Sequence, residues 1–465
     1  MIDSARKAPS TIGILALCLI VGVVWVIVPH PLVAVCLAFV PLAALFIINK
    51  TFWLVIMFVV FSFFRIHEAI PQLFAFKIPL LLSLGALSAL LWHGLISKEL
   101  KPYWHRSLSW LMVFWVLVTI GLVFASNRGV ALAEFKGIYW KIMVMTLAIV
   151  WLVNSADKLA KTSMIIVGAG TLVGVIAIYN SINGIGLVEG TRVTIGRDFG
   201  SMLGDPNDLA LVLMFPLAFA ISQASTKGIA TFKRLLCVIA GCILIYAVIA
   251  TQSRGGLLGC VAVVGIFALK VIRSKVLLLS LGAIGAVVLY FAAGISDRAS
   301  GGAAEAGIDE SAMGRLYAWE AAFKMALDNP LTGVGLNNFF SNYFFYSSHW
   351  DGLNHAVHST WFGVLAETGF LGFIVFIIVI ASLLITTRQT LARINKCSDK
   401  VTPALHSAAY AVYSGLIGTI VSGTFLTQGF NWPIYILAAL TVCVSHVSQT
   451  ECQNENPQTE KTITH

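Results

Sequence analysis

Arg254 stands in the run Thr251-Gln252-Ser253-Arg254-Gly255-Gly256, where two long apolar stretches meet with almost no connecting segment. A guanidinium at membrane depth costs about 2.5–3.5 kcal/mol unless it is paired or hydrated, so it is by default a functional candidate. The bland alternative is an interface arginine that snorkels to the water layer; the flanking glycines, which allow close backbone approach, favour function. Arg192, Arg197 and Arg315 lie in two other hydrophilic stretches. Each alone reads as a solvated surface charge. Together with Arg254 they form a candidate clamp for a diphosphate, because the guanidinium fork binds phosphate oxygens bidentately and never loses its charge. His358 begins His358-Ser359-Thr360-Trp361-Phe362-Gly363, at the end of another apolar run, and is the candidate proton acceptor. Gly363 and Gly369 thin the helix that follows it, so that a neighbour or a substrate can approach.

Two metal readings compete with this. His349, His355 and His358 cluster, but spacings of six and three suit a helical ligand pair poorly. Asp205-Pro206-Asn207-Asp208 could hold a divalent ion, yet it reads better as a helix N-cap with a favourable dipole. We therefore expect no metal site and no cofactor. The eight cysteines include no CxxC pair, and Cys18, Cys36, Cys237, Cys242, Cys260 and Cys443 fall inside apolar runs, so neither disulfides nor a zinc site is expected.

The elements that must position these side chains are membrane helices. Hydrophobic residues make up 58% of the 465-residue chain and charged residues 11%, with a mean hydropathy of +0.89, which excludes a soluble protein. A net charge of +9 without a basic domain or basic helix points to lipid and phosphate rather than nucleic acid. At about 20 residues per crossing, fourteen runs qualify, beginning near Thr11, Pro31, Thr51, Ile78, Ser107, Ile138, Ser163, Asp208, Arg234, Gly255, Val276, Trp361, Ala408 and Trp432. The run from Thr51 to Phe64 is short and pairs with its predecessor, so the expectation is an all-α polytopic protein of twelve to fourteen helices. The first run, Thr11 to Val28, follows Arg6 and Lys7 but lacks a small-residue cleavage site, and reads as a retained span.

With the N-terminus inside, nineteen of the thirty Lys and Arg fall on inward segments, which orients the chain by the positive-inside rule. The expected organisation is residues 1–182 as N-terminal spans, 183–295 as central spans with a first outward loop at 183–207, 296–360 as a large outward catalytic loop, 361–448 as C-terminal spans, and 449–465 as a cytoplasmic tail. The large loop starts with a Gly/Ala-rich acidic piece, Ala299 to Gly314, of flexible character. After it, Leu316, Trp319, Phe323 and Ala326 recur at helical spacing before Asp328-Asn329-Pro330, predicting a short amphipathic helix on the outer membrane surface.

Ser-Arg-Gly-Gly at Arg254, Gly314-Arg315 followed by Trp319, Pro330 with Gly333-Val334-Gly335 and Asn337, and the His358 stretch together resemble the O-antigen ligase family of bacterial membrane glycosyltransferases. That family's signature of His, then Asn/Ser/Gln, nine residues, Gly, two residues, then Gly/Thr/Val is matched by His358, Ser359, Gly369 and Gly372. The resemblance is specific over Asp205 to Gly372 and topological elsewhere. It implies a GT-C-like fold with the last long loop over a cavity that opens to the bilayer. It implies an inner-membrane enzyme, with its site facing the periplasm, that takes a glycan from undecaprenyl diphosphate without a metal and passes it to a glycan, lipid A core or protein hydroxyl. His358 is then the base, and Arg254, Arg315, Arg192 and Arg197 bind substrate. The superfamily also contains polysaccharide polymerases, the main rival reading. A polysaccharide transporter or flippase is a weaker one, because the chain has no convincing internal repeat and its polar residues lie at the outer surface.

Overall fold

The computed structural model describes residues 42–272, 310–350 and 352–453, with a few isolated positions within 19–39 and 274–285. Most of the expected spans beginning at Thr11 and Val276, and most of the Gly/Ala-rich piece, lie outside the described residues. Within them the backbone is helical. The helices are α1 (Thr51–Phe63), α2 (Ile78–Leu91), α3 (Arg106–Phe124), α4 (Trp140–Leu152), α5 (Ala156–Asn183), α6 (Pro206–Ser225) and α7 (Thr231–Ala250). They continue with α8 (Arg254–Val271), α9 (Glu310–Asp328), α10 (Phe339–Tyr346), α11 (Thr360–Lys396), α12 (Pro403–Gly423) and α13 (Trp432–Gln453).

Among the described residues ten helices are long and apolar enough to cross a membrane, and an eleventh candidate is the pair Leu42–Asn49 and α1, bent by 82°. That bend bears out the sequence reading of α1 as too short to cross alone. The protein is an all-α polytopic membrane protein. Helices are the only open-ended elements that satisfy their own backbone hydrogen bonds in lipid, which is why nearly every apolar run folds this way. The helices sort by how much surface they share. α6 and α13 bury 78% and 83% of their most apolar windows against other helices, whereas the span containing α2 buries 22% and turns its leucines outward. α6 is the hub, packed by α5, α7, α8 and α12.

Connections from along the chain gather at one end of the bundle, and their hydrogen bonds identify it. The 184–205 loop bonds the α7–α8 turn through Val193 N–H to Ala250 O (3.1 Å). Thr360 Oγ, at the start of α11, donates to Leu426 O (2.7 Å) in the α12–α13 connection. Ser126, in the turn after α3, donates through its N–H to Val334 O (2.9 Å). Glu68, after α1, accepts from Ser201 Oγ. The opposite end holds Lys158, Lys161, Arg234, Arg393 and Lys396, part of the positive set read as inward.

The Asn329–Gly335 segment docks by interrupting a helix. α11 breaks at Gly369, whose φ of 68° and ψ of −172° lie outside the helical region. The bond expected there, Phe370 N–H to Ala366 O, is replaced by two others: Phe370 N–H donates to Pro330 O (2.8 Å), and Ala366 O accepts from Val334 N–H (2.8 Å). The segment thus satisfies both groups that the break frees, as buried backbone requires. The contact leaves no room for side chains. A Cβ on Gly369 would lie 2.5 Å from Pro330 O, and one on Gly333 would lie 2.3 Å from Ala366 O. The glycines of the His358 stretch therefore admit a neighbouring loop.

α9 forms as the Leu316–Ala326 periodicity predicts, but the stripe that faces the protein is rotated. Ala318, Ala321, Ala322 and Met325 are fully buried against α11 and α10, while Leu316 and Phe323 are 48% and 44% exposed. Small residues face inward because α9 must lie close to α11. The large apolar residues remain on the outer stripe, in keeping with a surface helix. A second correction concerns the cysteines: Cys397, after α11, and Cys452, in the last turn of α13, form a disulfide. They stand 55 positions apart, and nothing in their spacing announces the pair.

Replacing Gly369 with alanine is expected to displace the 329–335 segment and lower the melting temperature in detergent. Gly168→Ala, on an exposed helical face with no atom within 4 Å of the added carbon, is expected to be neutral or mildly stabilising. Equal melting temperatures for the two variants would refute the docking argument.

Candidate functional site

The residues singled out in the sequence come from three segments at the same end of the bundle. The first is the 184–208 loop. Asp205 caps α6, accepting the N–H groups of Asn207 (2.7 Å) and Asp208 (3.3 Å), with Pro206 at the first helical position. The cap reading of Asp205 therefore holds. Asn207 Oδ1 then accepts twice, from Ser253 Oγ (2.9 Å) and from Arg192 Nη2 (3.1 Å), tying this loop to the α7–α8 turn.

Arg254 follows directly, as the first residue of α8 after its N-cap Ser253, and is half-buried. The preceding Gln252 adopts a left-handed φ of 51°, and Thr251 and Ser253 are fully buried, so the turn that sets Arg254 is rigid. Its flanking glycines serve helix packing: a Cβ on Gly256 would lie 2.4 Å from Ala210 Cβ of α6, and one on Gly255 would lie 3.1 Å from Phe425 Cβ. The sequence reading took them as room for function. Their tight contacts are instead with α6 and the end of α12, and they fix where α8 begins.

His358 occupies the position before the N-cap of α11, with a left-handed φ of 44° that a non-glycine residue rarely adopts. Both neighbours are anchored. Val357, buried, accepts through its carbonyl from Trp319 Nε1 of α9 (3.1 Å), and that indole stacks on Phe362 with centroids 5.1 Å apart. On the other side, Thr360 Oγ accepts from Gln428 N–H (3.0 Å), and Gln428 Nε2 donates to Asp208 Oδ1 (2.9 Å) on α6. The chain at His358 is thus held between α9 and the α12–α13 connection, and the imidazole lies near Arg315 of α9 and near Asp205 and Arg192 of the 184–208 loop.

Its charged surroundings follow from that placement. Burial lowers the His358 pKa below its usual 6.5, and Arg315 adds to the effect. Asp205 opposes it, while His355 and Arg192 lower it further. The imidazole is accordingly neutral at pH 7, with one ring nitrogen available to accept a proton.

The arginines are not equivalent. Arg315, on α9, is half-buried and acts directly on His358. Arg192 is 4% exposed, and besides Asn207 its Nε donates to Thr251 O (3.2 Å), so much of its donor capacity braces the loop. Arg197 is exposed and donates to Gly204 O (3.3 Å) within its own loop. His349 stacks on Tyr317 (3.9 Å) and His355 meets Tyr343 edge-on (5.4 Å). Among the described residues no group of three or more His, Cys, Asp or Glu is arranged to hold a metal ion.

Several polar residues that brace the site gave no sequence signal. Asn338, fully buried, accepts from Asn127 N–H (3.0 Å) and Ser126 Oγ (3.2 Å) and donates to Asn127 O (3.3 Å) and Leu336 O (2.9 Å). Glu367 accepts from Asn337 N–H (2.8 Å) and Phe339 N–H (3.3 Å). Both lock the 329–339 segment over the break in α11. Their partners are distant in sequence, so only the folded chain identifies them.

The fold and this end together define a class: a polytopic membrane protein that presents a neutral histidine and an arginine-bearing surface helix where its spans end. Residues 239–377, the segment that carries Arg254, Arg315 and His358, match the family model described as O-Antigen ligase. The match supports ligase- or polymerase-like glycan transfer by a bacterial multi-pass membrane protein. No curated protein matches the chain.

Two substitutions are expected to move the His358 titration in opposite directions. Arg315→Gln removes a cation that disfavours imidazolium, so the pKa should rise; Asp205→Asn keeps the helix cap but removes the anion that favours imidazolium, so it should fall. Histidine NMR of the protein in detergent reads both. Shifts of the same sign would refute the arrangement.

Proposed function

We propose that the protein transfers a glycan from undecaprenyl diphosphate to a hydroxyl acceptor on the periplasmic face of the inner membrane, without a metal. The observation that carries the reading is the neutral imidazole of His358 held beside Arg315, inside the segment that matches the O-antigen ligase model. His358 accepts the proton of the acceptor hydroxyl as that oxygen bonds to the anomeric carbon. The bond from that carbon to the diphosphate oxygen breaks, its electron pair leaves with undecaprenyl diphosphate, and a single displacement inverts the centre. Arg254 and Arg315 stabilise the charge that grows on the leaving group; Arg192 and Arg197 attract and orient the donor from the neighbouring loop.

In membranes supplied with lipid-linked glycan and a separate acceptor, His358→Ala is expected to lower transfer by roughly 10²–10⁴-fold, the usual worth of a general base. Arg254→Lys is expected to impair it as well, because a lysine lacks the forked donor. Near-normal rates in both variants would refute the mechanism. Purified donor offered alone separates the two forms of the reaction: chain growth on the carrier identifies a polymerase, and no growth a ligase.

The periplasmic orientation has its own check. A cysteine introduced at exposed Ser348 is expected to react with a membrane-impermeant maleimide in intact spheroplasts. Labelling only after lysis would invert the topology and overturn the placement of the reaction.

A further inference from the structure

A cleft of about 470 Å³ opens between α1, the 65–77 connection, the start of α2, the turn before α4 and the first turn of α13. It shares no residue with the His358 cluster, and its lining is unusual for a membrane protein: Arg65, Lys77 and Lys141 contribute three cations, beside His67 and Trp432. Lys141 lies within the span Arg128–Leu152, where an ammonium requires water or an anion.

A second observation points to a ligand. Arg65 Nε, His67 Nδ1 and Trp432 Nε1 are buried without a hydrogen-bond partner, and all three belong to the lining of this cleft. Trp432 is 1% exposed, so its indole N–H is cut off from bulk water. Arg65 spends Nη1 on Glu68 Oε1 (2.6 Å), and Glu68 is also bonded to Ser201, which leaves Nε uncommitted. Arg65 and Lys77 both adopt left-handed backbone, with φ of 51° and 46°, at the two ends of the connection. Side chains held at such strained positions are found disproportionately at binding sites.

Donors and cations converging on one space call for a ligand rich in acceptor oxygens and negative charge. A phosphate group supplies both. The remaining wall is apolar, with Phe58, Phe74 and Leu80, and Phe74 and Leu80 are half-exposed on the side of α2, the helix that buries least of its surface in the protein. A ligand seated here has its charged group against Arg65, Lys77 and Lys141 and its apolar part toward the bilayer. We propose that this cleft binds the phosphate head group of a membrane lipid, at a site separate from the one around His358 and independent of the transfer reaction.

The test uses the full chain in phosphatidylcholine nanodiscs and native mass spectrometry. The probes are undecaprenyl phosphate, phosphatidylglycerol, bis-phosphorylated lipid A and inorganic diphosphate. The expected result is retention of at least one lipid probe, with affinity lowered about tenfold or more in Lys77→Gln/Lys141→Gln and more modestly in Trp432→Phe, which removes the indole N–H together with the pyrrole ring. Arg254→Gln is expected to leave this binding intact; the lipid probe retained then says which membrane phosphate the cleft prefers. Unchanged binding in the double variant, loss of all binding in Arg254→Gln, or inorganic diphosphate binding as tightly as every lipid would each overturn the proposal. Melting temperatures of the variants establish that they are folded, and Trp432→Phe keeps an aromatic ring at the position that packs against Phe58.

Discussion

The exchange of one helical hydrogen bond for two loop contacts organises the end of the bundle that carries His358. In lipid an unsatisfied backbone group is costly, so a spanning helix breaks only where something else takes its carbonyl and amide. At Gly369 the Asn329–Gly335 segment takes both, through Val334 and Pro330. That segment joins α9 to α10, so fixing it against α11 also fixes α9, and with it Arg315 and the Trp319 indole that holds Val357. His358 is positioned from both sides as a result. The motif glycines are conformational and steric requirements of this junction.

Electrostatics follow from the same geometry. Burial between α9 and the loop that caps α6 disfavours a second proton on His358, and the nearby guanidinium reinforces it. In the proposed reaction, a neutral base beside a permanently charged group is the combination that displacement of a diphosphate needs. The arginines divide the work. Arg192 is committed largely to Thr251 and Asn207, whereas Arg254 starts α8 on a turn fixed by buried Thr251 and Ser253, and Arg315 sits within α9. A flexible cluster of charges would steer a donor but not orient it.

The basic cleft beside α2 extends this logic to a part of the chain beyond the matched segment. Ser201 bonds Glu68, so the loop that carries Arg192 also braces the connection that carries Arg65. Two cationic sites thus rest on one loop.

Much was legible in the sequence because a bilayer is a simple solvent. Apolar runs of sufficient length must become helices, so the all-α polytopic fold, the short α1 and the surface helix at Arg315 could be read directly, as could the Asp205 cap and the motif that carries His358. Local chemistry of that kind depends on neighbours in the chain. The rest depends on partners far apart in it. The meaning of Gly255, Gly256 and Gly369 came from the elements packed against them, and the inward face of α9 proved to be its alanines because close packing outweighed side-chain size. The Cys397–Cys452 disulfide, the clamps made by Asn338 and Glu367, and the meeting of Arg65, Lys77 and Lys141 at Trp432 join residues that no periodicity relates. Sequence determined which segments enter the membrane and which side chains can do chemistry; only the tertiary structure decided which of them meet, because contact between helices is set by shape and shared hydrogen bonds rather than by order along the chain.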